Sequence, residues 1–358
     1  MAKIKVCVIF GGASSEHEVS LMSAKSIIDN ISTDKYEVVK IGITKNGRWL
    51  FFPGSTDEII TDVWHEHADC VPCLISPDRT TKGLIKICDG QIIFEKIDVV
   101  LPVLHGKNGE DGTIQGLLEL SGIPYCGCGI FSSAVCMDKV FANIIFDKLG
   151  IERCKWDYMR ACDSDKLEQF EIELREKLGY PMFVKPSRSG SSVGISRVSN
   201  KEELKAAVNL ALAHDTKVVF EEYVDGQEVE CAVFGNIPSL QASDVGEIGA
   251  SAAFYDYDDK YKSGTSKTYI PARLDKEIRE KIRTIAKQAY TALDCAGLAR
   301  VDFFVERGTQ RILMNEINTL PGFTTISMFP KLMQNTGMSY AALVDGIIQL
   351  GLKDANDE

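Results

Sequence analysis

Four side chains in the last third of this sequence carry its strongest chemical signal. Ala299-Arg300-Val301-Asp302-Phe303-Phe304-Val305 alternates with period two. Arg300 and Asp302 therefore share one face of a strand, and Ala299, Val301, Phe303 and Val305 share the other. Leu313-Met314-Asn315-Glu316-Ile317-Asn318 puts Glu316 and Asn318 on a common face as well. With a turn centred near Thr309, the spacing predicts Asp302 opposite Glu316 and Arg300 opposite Asn318. Two carboxylates and an amide oxygen make an all-oxygen donor set, which selects Mg²⁺ or Mn²⁺ over zinc. Like charges this close also need a cation to hold them together. The plain alternative is a solvated hairpin face with an ordinary ion pair. The turn Asn318-Thr319-Leu320-Pro321-Gly322 directly after Glu-x-Asn weighs towards function.

Two further segments could serve a nucleotide. Lys185-Pro186-Ser187-Arg188-Ser189-Gly190-Ser191-Ser192-Val193-Gly194 delivers a lysine from a strand into a Gly/Ser loop. Such a loop brings backbone N–H groups close to phosphate oxygens while the lysine neutralises charge. It is neither a Walker A loop nor a dinucleotide fingerprint. In isolation such a loop is more often a linker; beside a magnesium hairpin it favours ATP. Glu221-Glu222-Tyr223-Val224-Asp225-Gly226-Gln227-Glu228 places carboxylates at a strand end. Those groups and the adjacent backbone could hydrogen-bond adenine and ribose, or form an acidic surface turn.

The elements that must position these residues follow an α/β pattern. Lys5 to Gly11 reads as a buried strand, followed by a helix with Val19, Met22, Ser26 and Ile27 on one face. Further strands are predicted at 37–44 and 98–104, the second apolar enough for a central parallel strand. A helix spans 113–121, and a boundary falls near Gly129. Residues 49–91 read as an excursion from the sheet. Beyond the boundary the pattern predicts helices at 139–149, 201–213, 276–293 and 340–350, and strands at 155–160, 182–185 and 217–224. Strands dominate from Glu228, and 298–305 with 311–317 form a hairpin around Gly308. The coarse picture is an α/β lobe (1–129) followed by two α+β lobes (130–225 and 226–358). Residues 353–358 form a polar tail.

Composition sets outer limits. The 358 residues carry 40 Lys plus Arg against 51 Asp plus Glu, a net charge of −11, which argues against nucleic acid or an anionic membrane as the main partner. Apolar content of 45% and charged content of 25% are globular values. Eleven cysteines, an odd number spread from Cys7 to Cys295, suit reduced thiols in the cytoplasm better than a disulfide framework. No apolar run is long enough to span a membrane.

Taken in order, the motifs resemble the ATP-grasp superfamily and, within it, the D-alanine–D-alanine ligases, over nearly the whole chain. The anchors are Gly11-Gly12-Ala13-Ser14-Ser15-Glu16-His17-Glu18-Val19-Ser20, His105-Gly106, Gly109-Glu110-Asp111-Gly112, and Met137-Asp138-Lys139. They continue through the Lys185 loop, Phe254-Tyr255-Asp256-Tyr257, Lys260-Tyr261, Ala299-Arg300-Val301-Asp302, and Glu316-Ile317-Asn318-Thr319-Leu320-Pro321-Gly322-Phe323-Thr324. The resemblance implies a three-domain ATP-grasp architecture, α/β and α+β, with the two later lobes enclosing ATP. It implies that ATP phosphorylates the carboxylate of one D-alanine and that the amine of a second attacks the acyl phosphate, supplying a peptidoglycan precursor.

The same resemblance implies roles. Asp302, Glu316 and Asn318 would hold two magnesium ions. Lys139 and Lys185 would neutralise phosphates; Glu221, Glu228, Tyr223 and Val224 would hold adenine and ribose. Arg300 and the Gly322 N–H would grip the first carboxylate and then the oxyanion, and Glu16 the first ammonium. Lys260 and Ser327 would hold the second carboxylate, and Glu16, Ser191 and Tyr261 would form a network that closes the site. Residues 251–273 would be a lid, and His105, after a buried strand, would serve the substrate pocket. A homodimer is implied too. No residue announces itself as the base for the second amine. D-serine relatives carry arginine where this chain has Met328 and phenylalanine where it has Tyr261, and D-lactate relatives carry a lid histidine, so D-alanine fits best. A hydrophobic pocket rejects an added hydroxyl only by about 10²-fold, which keeps a D-alanine–D-serine ligase, or another carboxylate–amine ligase, as the alternative. A catalytically dead nucleotide-binding regulator would be hard to reconcile with intact Arg300, Asp302, Glu316, Asn318, Lys139 and Lys185.

Other signals are weaker. His65, His67, Cys70 and Cys73 could make a zinc set, but the spacing is not that of a finger; Cys70 and Cys73 as a redox pair is weaker still. Cys126 and Cys128 read as packing residues and His214 as solvent-facing.

Overall fold

The computed structural model describes residues 2–249 and 267–354. Strand β1 (Ile4–Gly11) lies between β2 (Tyr36–Ile43) and β7 (Val99–Leu104), parallel to both, with Val6 opposite Val38 on one side and Val99 on the other. Every residue of β7 is buried, as expected for a strand covered on both faces. Residues 49–91 do not leave the sheet. Strands β3 (Trp49–Phe51), β4 (Val71–Ile75) and β5 (Gly83–Cys88), with β6 (Gln91–Lys96), extend it antiparallel in the order β6-β5-β4-β3-β2-β1-β7. These strands are short, and the outermost is exposed on both faces, with Ile92 at 63% and Phe94 at 64%, so no alternation marked them.

A second sheet, β10-β9-β11-β8, is built from β8 (Trp156–Arg160), β9 (Met182–Pro186), β10 (Ser196–Val198) and β11 (Lys217–Glu222). Helices Leu167–Lys177 and Lys201–Leu212 close a core of Leu174, Leu204 and Val208 over Val184, Val218 and Phe220. The third sheet, β14-β13-β12-β15-β16, is antiparallel throughout. It comprises β12 (Gly226–Phe234), β13 (Gln241–Gly249), β14 (Lys267–Tyr269), β15 (Leu298–Glu306) and β16 (Ile312–Asn318). Val229, Cys231, Val301 and Phe303 on one face pack with Ile278, Ile282 and Tyr290 of the helix Lys276–Ala292. Ala232, on the other face, packs with Met328 and Leu332 of the helix Met328–Asn335.

The helix Tyr340–Asp354 then returns to the first sheet: Leu343, Val344, Ile347 and Ile348 share one core with Val6, Val8 and Phe10. It runs past the predicted end at 350, and residues 355–358 of the expected polar tail lie outside the described residues. In the first helix, His17–Ile28, Leu21, Ser23 and Ala24 join Val19 and Ile27 on the buried face, whereas Met22 and Ser26 are half-buried. Helices Ile130–Met137, Leu167–Lys177 and Met328–Asn335 were not foreseen; each buries only a narrow stripe or lies next to a glycine- or proline-rich turn.

Candidate active site

The β15–β16 hairpin pairs Asp302 with Glu316 and Arg300 with Asn318, the predicted register. It reaches that register by an unexpected route. Near the turn, Val305 faces Ile312 and Phe303 faces Met314, which by itself would bring Asn315 opposite Asp302. A bulge between Asp302 and Phe303 shifts the pairing by one residue and returns Glu316 to the charged face. Asp302 is 3% exposed and accepts two bonds from the Arg300 guanidinium, at 2.8 and 2.7 Å. It also accepts from Asn318 Nδ2 at 3.0 Å. Glu230 on β12, directly across from Asp302, lies 3.1 Å from Arg300 Nε. Sequence reasoning missed Glu230, although its two-residue spacing from Glu228 was the available signal.

Facing this hairpin is a cavity of about 800 Å³ between the second and third sheets. Lys139, Lys185, Ser191 and Glu316 line it, together with Glu221, Tyr223, Val224 and Glu228. Lys139 Nζ bridges the Gly/Ser loop and the hairpin, reaching Ser189 O at 2.9 Å and Glu316 at 3.1 Å. It stands at the first position of the helix Lys139–Lys148, which Asp138 caps by accepting from Val140 N. Asp138 is itself held by Ser187 Oγ at 2.7 Å and by the buried ammonium of Lys217. Lys185 pairs with Glu221 at 2.5 Å. Burial would lower the Lys185 pKa, but the Glu221 carboxylate outweighs it and the ammonium is held above its usual value. Glu221, expected at adenine and ribose, lines the cavity beside Tyr223 and Val224 and also pairs with Lys185.

Glu16, at the start of the first helix, closes the other end of the site. Its carboxylate accepts from Ser191 Oγ and lies against two glycines: a Cβ on Gly106 would sit 2.5 Å from Glu16 Oε2, and one on Gly190 3.1 Å away. Gly106 also has φ +69°, where side chains are strained. Ser14 Oγ joins the two loops, donating to His105 O at 2.9 Å and accepting from Glu16 N at 3.2 Å. Burial lowers the His105 pKa. Burial and the neighbouring Glu16 raise the Glu110 carboxyl well above the usual range. In the sequence Glu110 stands only within Gly109-Glu110-Asp111-Gly112, and nothing there marks it as a neighbour of the Glu16 carboxylate.

The remaining predicted residues are less centrally placed. Ser327 Oγ accepts from Thr324 N at 3.0 Å and bonds its hydroxyl at 2.8 Å. Met328 is 7% exposed and packs against Gly246 and Leu332, within the core. Gly322 is half-buried. None of these three lines the large cavity. Lys260, Tyr261 and residues 251–266 of the expected lid lie outside the described residues. Among the described residues no cluster of three His, Cys, Asp or Glu could hold a metal, so the His65–Cys73 segment does not assemble one. All eleven cysteines are free thiols.

Comparison with known proteins gives this geometry a family. A family model described as "D-ala D-ala ligase N-terminus" matches residues 5–128, and one described as "D-ala D-ala ligase C-terminus" matches residues 145–349. The chain belongs to the D-alanine–D-alanine ligase family. A D-alanine–D-alanine ligase of Caldicellulosiruptor bescii is 48% identical, with 99% of this chain and 96% of the relative covered. Of solved structures, the VanG D-Ala:D-Ser ligase from Enterococcus faecalis matches with a TM-score of 0.88 at 44% identity, covering 98% of this chain and 100% of that one. The D-alanine–D-alanine ligase from Coxiella burnetii matches with a TM-score of 0.86 at 33% identity, covering 99% and 97%. The D-alanine–D-alanine ligase family brings with it ATP and a divalent metal ion in general terms. The donors present fit such an ion: Asp302, Glu316 and Asn318 supply only hard oxygens, from alternate rungs of one ladder with the Val301–Ile317 pair between them. Among the described residues no helix is long and apolar enough to cross a membrane.

Proposed function

We propose that this chain joins two molecules of D-alanine, at the expense of ATP, into D-alanyl-D-alanine for peptidoglycan synthesis. The observation that carries the reading is the bulged hairpin, which sets Arg300, Asp302, Glu316 and Asn318 on one face beside the Lys139–Lys185 cavity. A carboxylate is a poor electrophile, so a phosphate leaving group must be installed before an amine can displace it. That transfer needs positioning and charge neutralisation more than covalent help. Lys139 and Lys185 neutralise phosphate oxygens, and Glu221, Glu228, Tyr223 and Val224 hold the nucleoside, with Glu221 also fixing Lys185. Asp302, Glu316 and Asn318 hold magnesium, two ions in this reading, which offsets phosphate charge when bound.

Arg300, oriented by Asp302 and flanked by Glu230, presents a rigid guanidinium fork that grips the first carboxylate. With the Gly322 N–H it then stabilises the growing oxyanion, where fixed donors count most. Glu16 orients the first ammonium group and is steadied by Ser191. Ser327 and Lys260 hold the second carboxylate, His105 and Met328 border the substrate region, and Tyr261 completes the Glu16–Ser191 network. We assign residues 1–129, 130–225 and 226–358 to three domains, residues 251–273 to a closing segment, and the protein to a cytoplasmic homodimer. The similarity to VanG keeps D-serine in view as a second acceptor.

One assay separates these readings: ADP release with D-alanine, D-serine, D-lactate and L-alanine, each with and without magnesium. Magnesium-dependent turnover with D-alanine alone is the expected result. No turnover with D-alanine would refute the reading, and a higher kcat/KM for mixed D-alanine and D-serine would replace it with the second.

A further inference from the structure

The Gly322 N–H does its proposed work only if its loop holds still, and the structure shows what holds it. Ser23 is fully buried on the inward face of the first helix, 300 positions from the loop in sequence. Phe323 N–H donates to Ser23 Oγ at 3.1 Å, and Ser23 Oγ lies 3.0 Å from His105 Nε2. On the far side of the ring, His105 Nδ1 lies 2.8 Å from the Leu320 carbonyl. With the ring neutral, only one assignment of protons satisfies all of these groups. A carbonyl can only accept, so Nδ1 carries the hydrogen. The neutral ring then accepts at Nε2, so the Ser23 hydroxyl donates there, and its oxygen is left to receive Phe323 N–H.

We propose that Ser23 is a positioning residue for the Gly322 amide, working with His105 as a two-ended clamp on the Leu320–Phe323 turn. The inference rests on the reading of Gly322 given above. The clamp seizes the carbonyl before Pro321 and the N–H after Gly322, so the two residues between are fixed at both ends. Both need that help. Proline has no N–H with which to anchor itself, and glycine is the residue with most backbone freedom to lose. An oxyanion donor displaced by about 1 Å can cost about 10²-fold in rate. Burial keeps the ring towards its neutral form against the raising effect of Glu16, and the clamp requires the neutral form.

The test is Ser23→Ala, which removes the hydroxyl and leaves the fold's apolar contacts in place. Expected are a fall in kcat of about 10- to 100-fold with D-alanine and a KM for ATP within about two-fold of the wild type. A phosphinate analogue of the tetrahedral intermediate should lose affinity by the same factor as kcat/KM, while ADP affinity holds. Two readouts do not need turnover. In the wild type, ¹⁵N NMR should show His105 as the Nδ1–H tautomer with Nε2 accepting, and the Phe323 amide should be protected from hydrogen exchange. Ser23→Ala should lose both the Nε2 signature and the protection, and Ser23→Thr, which keeps the hydroxyl, should restore them. A folded Ser23→Ala enzyme with kcat within two-fold of wild type, an Nε2–H tautomer in the wild type, or an equal rise in the KM for ATP would overturn the proposal. If Ser23→Ala does not fold, Ser23→Cys takes its place with the same expected and refuting results. A wild type that fails to release ADP with D-alanine would sink the proposed activity and not the clamp, which the tautomer and exchange measurements still decide.

Discussion

Replacing Gly106 by alanine should separate stability from catalysis, because the added methyl group meets the site and little else. Its Cβ would stand 2.5 Å from Glu16 Oε2, against an ordinary contact of about 3.4 Å. The Glu16 carboxylate, whose other oxygen accepts from Ser191, must therefore shift by about 0.9 Å. The φ of +69° adds about 1–2 kcal/mol of strain. Stability should fall by roughly that amount. Turnover should fall further, by about 10²-fold, because a displacement near 1 Å in a positioning carboxylate is enough for that loss. Gly47→Ala is the control. Gly47 has φ +83° with nothing within 4 Å of its Cβ, so the same strain arises with no clash. Urea midpoints and steady-state kcat with D-alanine, measured for both variants, should show two similar losses of stability and one loss of activity. If Gly106→Ala keeps kcat within about three-fold of Gly47→Ala, the placement of Glu16 between the two loops does not govern the chemistry.

Glu316→Gln should leave stability within about 1 kcal/mol, since its partner pair is partly exposed, yet reduce kcat by about 10²-fold or more; near-normal turnover would remove Glu316 from the metal set. Asp138→Ala should cost about 3–5 kcal/mol, because it strands the buried Lys217 ammonium and uncaps the Lys139 helix, and should raise the KM for ATP. Asp138→Asn combined with Lys217→Met removes both charges and should recover most of that loss in urea unfolding; a double variant as weak as Asp138→Ala would show that the pair is not the cause. Glu110 has a folded pKa raised above its unfolded value of about 4.5, so the native state holds the extra proton and stability falls as pH rises above that value. Glu110→Gln should lack this fall, so its advantage over the wild type in urea midpoint should widen between pH 5 and 8. A constant difference would contradict the shift.

The charged hairpin was the most legible part of the sequence, because strict alternation fixes which side chains share a face. Even there the right pairing follows from a turn centre one half-step away from the real one. The bulge that reconciles them depends on the neighbouring strand as much as on Asn315, and local pattern does not carry that information. Strands covered on both faces, such as Val99–Leu104, announced themselves by composition. The short outer strands Trp49–Phe51 and Gln91–Lys96 did not, since a strand with little burial has no reason to alternate. Lys139 and Lys185 stood out as charged residues beside glycines or in motifs. Glu110, Glu230 and Ser23 did not, since their importance comes from partners between 70 and 300 positions away, and a serine at a helical core position looks like any small packing residue.

The core shared by Val6, Val8 and Phe10 with Leu343, Val344, Ile347 and Ile348 also bears on how the chain is made. Val6 and Leu343 are 337 positions apart. At about 5–20 residues per second, a ribosome needs roughly 17–67 s to cover that interval. Throughout it, the inner face of the first sheet lacks the helix that completes its cover. The first lobe is consequently exposed to aggregation, and to whatever holds nascent apolar surfaces, for most of the chain's synthesis. A chain cut just before Tyr340 would retain every residue proposed for the chemistry and would still keep that face uncovered.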